Sequence, residues 1–179
     1  ILKLTAQQAR IGRRVSVTGV VTAAEPGWKG RFFMQDASGG VFVESISTNR
    51  QPKPGDVVAV TGLTRSGGYA PCITKPHWEK IGTAPLPEPK PVTVEQLMSG
   101  KEDSQRVEIS GVVRTAEKSG SRLGVELVAG GYRFRAFAPF GAGTDVPALD
   151  CARMVVRATV ATSYNAPVRH FLTVTLFAP

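Results

Sequence analysis

The chain has 179 residues, 42% of them hydrophobic, with 19 glycines and 13 prolines, which is typical of one or two globular domains rich in strands and turns. No apolar run reaches the roughly 18 residues that a membrane-spanning helix needs, so the sequence contains no such span. The net charge of +8 is spread over both halves and favours anionic partners, although a basic surface also serves solubility alone.

A short helix is the first predicted element in each half of the chain. Thr5 and Gln8 have the spacing of a capping box, in which each side chain binds the backbone N–H of the other. Thr93 and Gln96 repeat that spacing. A glycine follows both segments, so each half is predicted to begin with a capped helix that ends before a long strand.

The sequence of the first predicted strand recurs, with substitutions, later in the chain. Residues 14–25 read RVSVTGVVTAAE and residues 106–117 read RVEISGVVRTAE, with seven of twelve positions identical. Gly19 and Gly111 interrupt these β-branched runs at the same place, which predicts a bend or a close backbone approach. The repeat therefore indicates two versions of one small β domain.

Four further strands are predicted in the first half of the chain. They cover residues 31–36, 41–45, 55–64 and 69–81, with a tight turn at 37–40 and an Asx-type turn bond at Asp36. Pro76 interrupts the last of these strands, which suits an edge position.

A stiff, extended linker is predicted at residues 84–91, where four of eight residues are proline. The predicted domains are therefore residues 1–83 and residues 92–179. The second half repeats the strand order of the first, with a hairpin at Ala129-Gly130-Gly131.

Five strands, a kinked first strand and a tight hairpin between strands two and three are typical of the OB-fold, a five-stranded Greek-key barrel. The predicted fold class is thus all-β, with two tandem OB-fold-like five-stranded barrels joined by the proline-rich linker. The alternative is a pair of β-sandwich or SH3-like modules.

The sequence resembles the extracytoplasmic region between membrane spans in some bacterial sensor histidine kinases and related signalling proteins. The matching motifs are RVSVTGVVT, FFMQDASGGVFV, KPGDVVAVTG, APLPEPKPVTVEQLMSG and QRVEISGVV, which together cover nearly the whole chain. The resemblance implies a tandem OB-like sensor domain in the periplasm, with membrane-spanning segments and a kinase or cyclase output domain elsewhere in a longer protein. It supplies no catalytic residues.

OB barrels bind ligands through the face of strands two and three and through the 1–2 and 4–5 loops. In this chain those loops combine aromatic and basic residues, which can stack on a base or sugar and pair with a phosphate. The candidate loop residues are Trp28, Lys29, Arg65, Tyr69, Tyr164 and Arg169. Aromatic residues at loop ends also cap barrels without binding anything.

The predicted hairpins add candidates by strand alternation. Arg31 and Phe33 share one face of the first hairpin, and Arg133 and Arg135 share one face of the second, where they could hold an anion. The competing interpretation is that these residues form the solvated side of each sheet.

No catalytic motif, metal-ligand spacing or cofactor-binding motif is found, so no enzyme, metal or cofactor is predicted. Cys72 and Cys151 are interpreted as unpaired thiols.

The leading functional hypothesis is a non-catalytic sensor domain that binds a small or anionic ligand. The alternatives are a single-stranded nucleic-acid binder and a spacer or homodimerisation module without a small ligand.

Overall fold

The computed structural model of the protein describes residues 1–45, 51–164 and 172–179. The chain divides into two compact units, one made of Ile1–Glu88 and Asp103–Gln105, the other of Pro89–Glu102 and Arg106–Pro179. The predicted linker, residues 84–91, is shared between them. The N–H of Ala84 donates to the carbonyl of Gly55, whereas Lys90 and Pro91 form a short strand of the second unit.

The first unit is a β barrel preceded by a one-turn helix. Its described elements are α1 Ala6–Ala9, β1 Arg14–Ala24, β2 Phe32–Asp36, β3 Gly39–Glu44, β4 Asp56–Arg65 and β5 Cys72–Thr83. The strands close in the order β1-β2-β3-β5-β4, and β4 pairs back to β1. All pairings are antiparallel except the short parallel one between β3 and β5.

Gly19 lets β1 bend around this barrel. A Cβ atom there would lie 2.8 Å from the backbone oxygen of Gln35, so the close approach of β1 to β2 requires glycine. The register shifts between Val21 and Ala23, which marks a β-bulge just beyond this point. The prediction of a bend or close approach at Gly19 is confirmed.

The core of the first barrel consists of side chains that point inward from all five strands. Phe32, Val43, Val58, Val60 and Ile73 are fully buried, and Trp78 packs edge-on against Phe32 with ring centroids 5.8 Å apart.

The second unit repeats this barrel and adds one short strand. Its described elements are β6 Lys90–Pro91, α2 Val94–Met98, β7 Arg106–Ser119, β8 Arg122–Ala129, β9 Tyr132–Pro139, β10 Arg153–Tyr164 and β11 Leu172–Phe177. The strands follow the order β10-β11-β9-β8-β7-β6, and pairing of β10 with β7 closes the barrel.

The two barrels match position by position. Val21 lies opposite Met34 in the first, and Val113 lies opposite Leu127 in the second, with a β-bulge directly after both pairs. Gly111 takes the place of Gly19, where an added Cβ would lie 3.1 Å from a Leu127 side-chain atom. The predicted fold class, two tandem OB-fold-like barrels, is confirmed.

Local predictions can be checked in the same structure. Both capping boxes form, at Thr5 and at Thr93, and Asp36 accepts hydrogen bonds from the N–H groups of Ser38 and Gly39.

The prediction that the fifth strand lies at an edge is wrong, because β5 pairs with both β3 and β4. Pro76 is tolerated because the β3 pairing ends at Thr74, and the β4 register shifts beside Pro76.

Candidate functional site

The outer face of the β2–β3 hairpin in the first barrel carries an aromatic cluster. Phe32 and Met34 belong to the core, so Phe33 between them points outward; the same alternation turns Phe42 outward on β3. Phe33 and Phe42 lie directly opposite each other, with ring centroids 4.8 Å apart. This arrangement places two aromatic rings on the face that OB barrels use for ligands.

Trp28 joins this pair from the loop between β1 and β2. Residues Pro26–Trp28 form one turn of 3-10 helix, which ends because Lys29 adopts the left-handed conformation, with φ of 55°. That turn brings the Trp28 ring against Phe33 in an edge-to-face contact, with centroids 5.8 Å apart. Only 6% of Phe33 stays exposed, whereas Trp28 is half-buried. We call Trp28, Phe33 and Phe42 the aromatic cluster.

Positive charge flanks the aromatic cluster. Lys29 and Arg31 are exposed on either side of the buried Gly30. Arg65, at the end of β4, instead forms an ion pair with Glu44. Of these three cations, Arg65 is neutralised within the protein, whereas Lys29 and Arg31 form no ion pair within the described ranges and can face an anion.

Two further groups of the first unit, the Cys72 thiol and the Tyr69 hydroxyl, are partly shielded from water. Burial raises the pKa of the Cys72 thiol, and the Glu44 carboxylate acts in the same direction. Burial also raises the pKa of Tyr69, with a further contribution from the negative charge of Asp103. Both shifts in pKa favour the neutral form of the group.

In the second barrel, the same two positions carry charges instead of aromatic rings. Glu126 occupies the position of Phe33, because it lies opposite Thr115 as Phe33 lies opposite Ala23. Arg135 lies opposite Glu126 and so occupies the position of Phe42, which lies opposite Phe33. Arg133 approaches the Glu126 carboxylate to 3.9 Å. This position in the second barrel therefore offers mixed charge and no ring for stacking.

Aromatic rings occupy the next row of that face. Phe137 and Phe177 lie opposite each other on β9 and β11 and stack with centroids 5.8 Å apart and ring planes 16° apart. The Phe137 ring also packs close to Gly124, since a Cβ atom added at Gly124 would lie 3.2 Å from the Phe137 ring. The stack therefore covers a glycine that has no side chain of its own.

The structure brings some predicted site residues together and separates others. Trp28, Lys29, Arg31 and Phe33 form one surface, whereas Arg133 and Arg135 belong to the mixed-charge face of the second barrel. The side chain of Tyr164 and the whole of Arg169 lie outside the described part of the chain.

Phe42 is the functional candidate that the sequence prediction missed. It lies between Val41 and Val43, and three apolar residues in a row hide the alternation of a strand. The signal that would have found it is its register partner, because a two-residue turn places Phe42 opposite Phe33.

Within residues 1–45, 51–164 and 172–179, no group of three or more His, Cys, Asp or Glu side chains is placed to hold a metal ion. In the same ranges, no helix is long and apolar enough to cross a membrane. Cys72 is buried and Cys151 is exposed, and both are free thiols.

No protein-family model and no curated protein matches the chain. Solved structures show low likeness to it. One is the Ifi202 HINa domain in complex with 20-base-pair double-stranded DNA, with a TM-score of 0.41, 6% identity, and coverage of 94% of this chain and 92% of that one.

Two further structures align at similar levels. A replication protein A heterotrimer bound to single-stranded DNA has a TM-score of 0.39 and 12% identity over 90% of this chain and 46% of that one. A putative aspartyl-tRNA synthetase from Leishmania major Friedlin has a TM-score of 0.38 and 18% identity over 52% of this chain. The matched region spans 21% of the synthetase.

Proposed function

We propose that the chain is a non-catalytic binding module whose first barrel binds single-stranded nucleic acid on the face formed by the aromatic cluster, Lys29 and Arg31. The observation that carries the proposal is the contact of Trp28 with Phe33 and of Phe33 with Phe42, on the outer side of the β2–β3 hairpin.

The chemistry of this face suits an unpaired nucleotide. A base in a single strand exposes its π-face, and stacking it on an aromatic side chain contributes about 1–3 kcal/mol. Trp28 and Phe42 are half-buried, so each ring keeps surface for a base. Lys29 and Arg31 are exposed beside the rings and can pair with the phosphates that connect successive bases.

Intrinsic fluorescence tests this proposal directly, because the chain has only two tryptophans. Trp78 packs beside Phe32 in the core, so Trp78→Phe keeps a ring there and leaves Trp28 as the reporter. We expect oligothymidylate of about 12 nucleotides to quench Trp28. Affinity should fall severalfold between about 50 mM and about 200 mM salt as counterions compete for the phosphates.

A matched pair of charge variants sharpens this test. Arg31→Gln should weaken binding and flatten its dependence on salt, because it removes about one phosphate contact. Arg10→Gln removes an exposed arginine after α1 and should leave both unchanged. Absence of quenching in the Trp78→Phe protein, or equal effects of the two arginine variants, would contradict the proposal.

The resemblance to sensor regions supports a second proposal, a periplasmic sensor domain whose ligand is a small molecule. The same aromatic cluster would then bind one ring-bearing ligand rather than a strand. A mononucleotide that binds as tightly as the oligomer, with little dependence on salt, would favour this second function. A protein that binds no probe at all would instead favour the spacer module.

A further inference from the structure

A second basic surface lies on the β1–β4 side of the first barrel. It is a groove of about 590 Å³ whose lining includes the apolar residues Val15 and Leu63. Its polar lining consists of Arg14, Lys75, Ser16 and Thr61. None of its lining residues is acidic, which distinguishes this groove from the mixed-charge face of the second barrel.

Both cations of the groove are exposed and free to act on a ligand. Arg14 begins β1, and Lys75 lies on β5 where the register between β4 and β5 shifts. Within the described ranges, neither residue forms an ion pair with a carboxylate. Ser16 and Thr61 lie directly opposite each other on β1 and β4 and can donate hydrogen bonds into the groove.

The backbone at Lys75 is strained. Its φ is 48°, in the left-handed region, which non-glycine residues with long side chains seldom adopt. Gly62, which also lines the groove, permits this geometry, since a Cβ there would lie 2.6 Å from Ile73 and 2.9 Å from the Thr74 oxygen. Glycine would adopt this backbone conformation more easily than lysine. The presence of lysine therefore indicates that the amino group of its side chain has a role at this position.

The second barrel shows how such a groove is neutralised. The pair equivalent to Ser16 and Thr61 is Glu108 and Arg157, also directly opposite each other. These side chains form an ion pair, with 2.6 Å between the Arg157 Nε and a Glu108 oxygen. The second barrel thus has its own carboxylate, that of Glu108, at the position where the first barrel has a hydroxyl group and nearby cations.

We infer that the groove lined by Arg14, Ser16, Thr61 and Lys75 binds the phosphate group of a ligand, at a site separate from the aromatic cluster. Two cations match the double negative charge of a terminal phosphate, and hydroxyl groups supply neutral donors to its remaining oxygens. Leu63 shares the face of Thr61 and can contact the carbon skeleton attached to the phosphate. A soluble phosphomonoester and a lipid whose headgroup is a terminal phosphate share this chemistry.

Lys75→Gly separates binding from folding. Glycine adopts the observed φ without strain, so this variant should unfold at the same or a higher urea concentration than the wild type. Its affinity for pyrophosphate should nevertheless fall about tenfold, because one charged hydrogen bond is lost. A variant that is stable and still binds pyrophosphate normally would overturn the inference.

Ser16→Glu provides the second variant, because it places in the first barrel the carboxylate that the second barrel already has. We expect it to abolish pyrophosphate binding, measured by calorimetry at low salt, and Lys3→Gln, a change at an exposed lysine, to leave binding intact. Trp28→Ala should also leave it intact, so failure of this site and failure of the aromatic cluster are distinguishable.

Vesicles identify the source of the phosphate. Binding to vesicles that contain phosphatidic acid, whose headgroup is a terminal phosphate, but not to pyrophosphate, lost in Lys75→Gly, would assign the groove to a lipid headgroup. Binding to pyrophosphate alone, lost in the same variant, would assign it to a soluble phosphoester. Binding to neither probe would overturn the inference.

Discussion

The two barrels agree in what they bury and differ in what they present to solvent. Val41 and Val43 of the first barrel correspond to Phe134 and Ala136 of the second, and all four are buried. Between them, on the outer face, the first barrel has Phe42 opposite Phe33, whereas the second has Arg135 opposite Glu126. One strand framework therefore supports an aromatic pair at these two positions in one copy and a charged pair in the other.

This difference shows which residues close the barrel and which are free to vary. Closure depends on the inward row and on the glycine and bulge of the first strand, which both copies share. The outward row differs between the two copies although both barrels close, so closure does not depend on its chemistry. Predictions that compare equivalent positions in the two barrels test this division directly.

The largest expected difference is between Phe33→Ala and Glu126→Ala. Phe33 is 6% exposed and contacts two rings, so its removal should lower the free energy of unfolding by about 3 kcal/mol. Glu126 interacts at 3.9 Å with an exposed arginine, and its loss should cost less than about 1 kcal/mol.

Urea unfolding measures both variants. Trp28 and Trp78 lie in the first barrel, so tryptophan fluorescence follows that barrel, while circular dichroism follows both. Equal destabilisation by the two variants would show that the outer faces of the two barrels contribute equally to the free energy of unfolding, which would contradict this prediction.

Alanine at the two strand glycines gives the next largest difference. At Gly19 the added Cβ would meet the backbone oxygen of Gln35 at 2.8 Å, and backbone cannot rotate away. At Gly111 it would meet the Leu127 Cβ at 3.1 Å and the ends of the Leu127 and Phe134 side chains at 3.3 Å. The side-chain ends can rotate, and the longer Cβ contact needs a smaller shift than the 2.8 Å contact at Gly19. We expect Gly19→Ala to cost about 2–3 kcal/mol and Gly111→Ala about 1 kcal/mol, measured by urea unfolding. The reverse order would contradict the proposed role of the Gln35 backbone.

Asp56 makes the first barrel sensitive to acid. Burial alone would raise the pKa of this carboxyl, but hydrogen bonds from Lys80 and from the Lys53 N–H hold it below its usual range. A lowered pKa in the folded state means that the carboxylate stabilises the fold above about pH 4 and that this stability is lost as pH falls further.

Asp56→Asn should therefore cost about 1–2 kcal/mol at neutral pH, and its difference from the wild type should shrink as pH falls below about 4. Unfolding followed by tryptophan fluorescence at several pH values checks this. The equivalent position in the second barrel is Ala152, so unfolding of that barrel should show no such component. If the difference in free energy of unfolding between Asp56→Asn and the wild type stays constant at acidic pH, the charge of the Asp56 carboxylate is not its cause.

The smallest expected effect concerns the hairpin turns. The first hairpin is held by Asp36, whose carboxylate accepts bonds from Ser38 and Gly39 at 2.7 Å and 3.1 Å. The second turns on Gly130 and Gly131, both with positive φ. Asp36→Ala should cost about 1 kcal/mol in urea unfolding, whereas Ala129→Asp, at the equivalent position, should change little. A larger cost at Ala129 would show that the second turn also depends on its first residue.

The sequence predicted the fold because the duplicated strand, its glycine and the turn residues are local signals. Trp28 and Lys29 were also recognisable, because an aromatic and a basic residue stand out in a loop. The burial of Phe33 was not predictable, since it depends on a tryptophan that arrives from another segment. Phe42 was hidden inside an apolar run.

The groove at Lys75 lay beyond sequence reasoning for a different reason. Its geometry depends on the register shift between β4 and β5 and on the positive φ of Lys75, neither of which has a sequence signal. Arg14 and Lys75 are far apart in the chain, and only the barrel places them around one groove. Sites built from several strands therefore escape prediction even when every strand is found.

Backbone NMR of the protein titrated with oligothymidylate tests the central claim most directly, because it observes both barrels in one experiment. We predict amide shift changes at Trp28–Phe33 and around Phe42, and none at Glu126 and Arg135, where no ring is available for stacking at the equivalent position. Changes of equal size at Glu126 and Arg135, or changes that spare Phe33 and Phe42, would contradict the account.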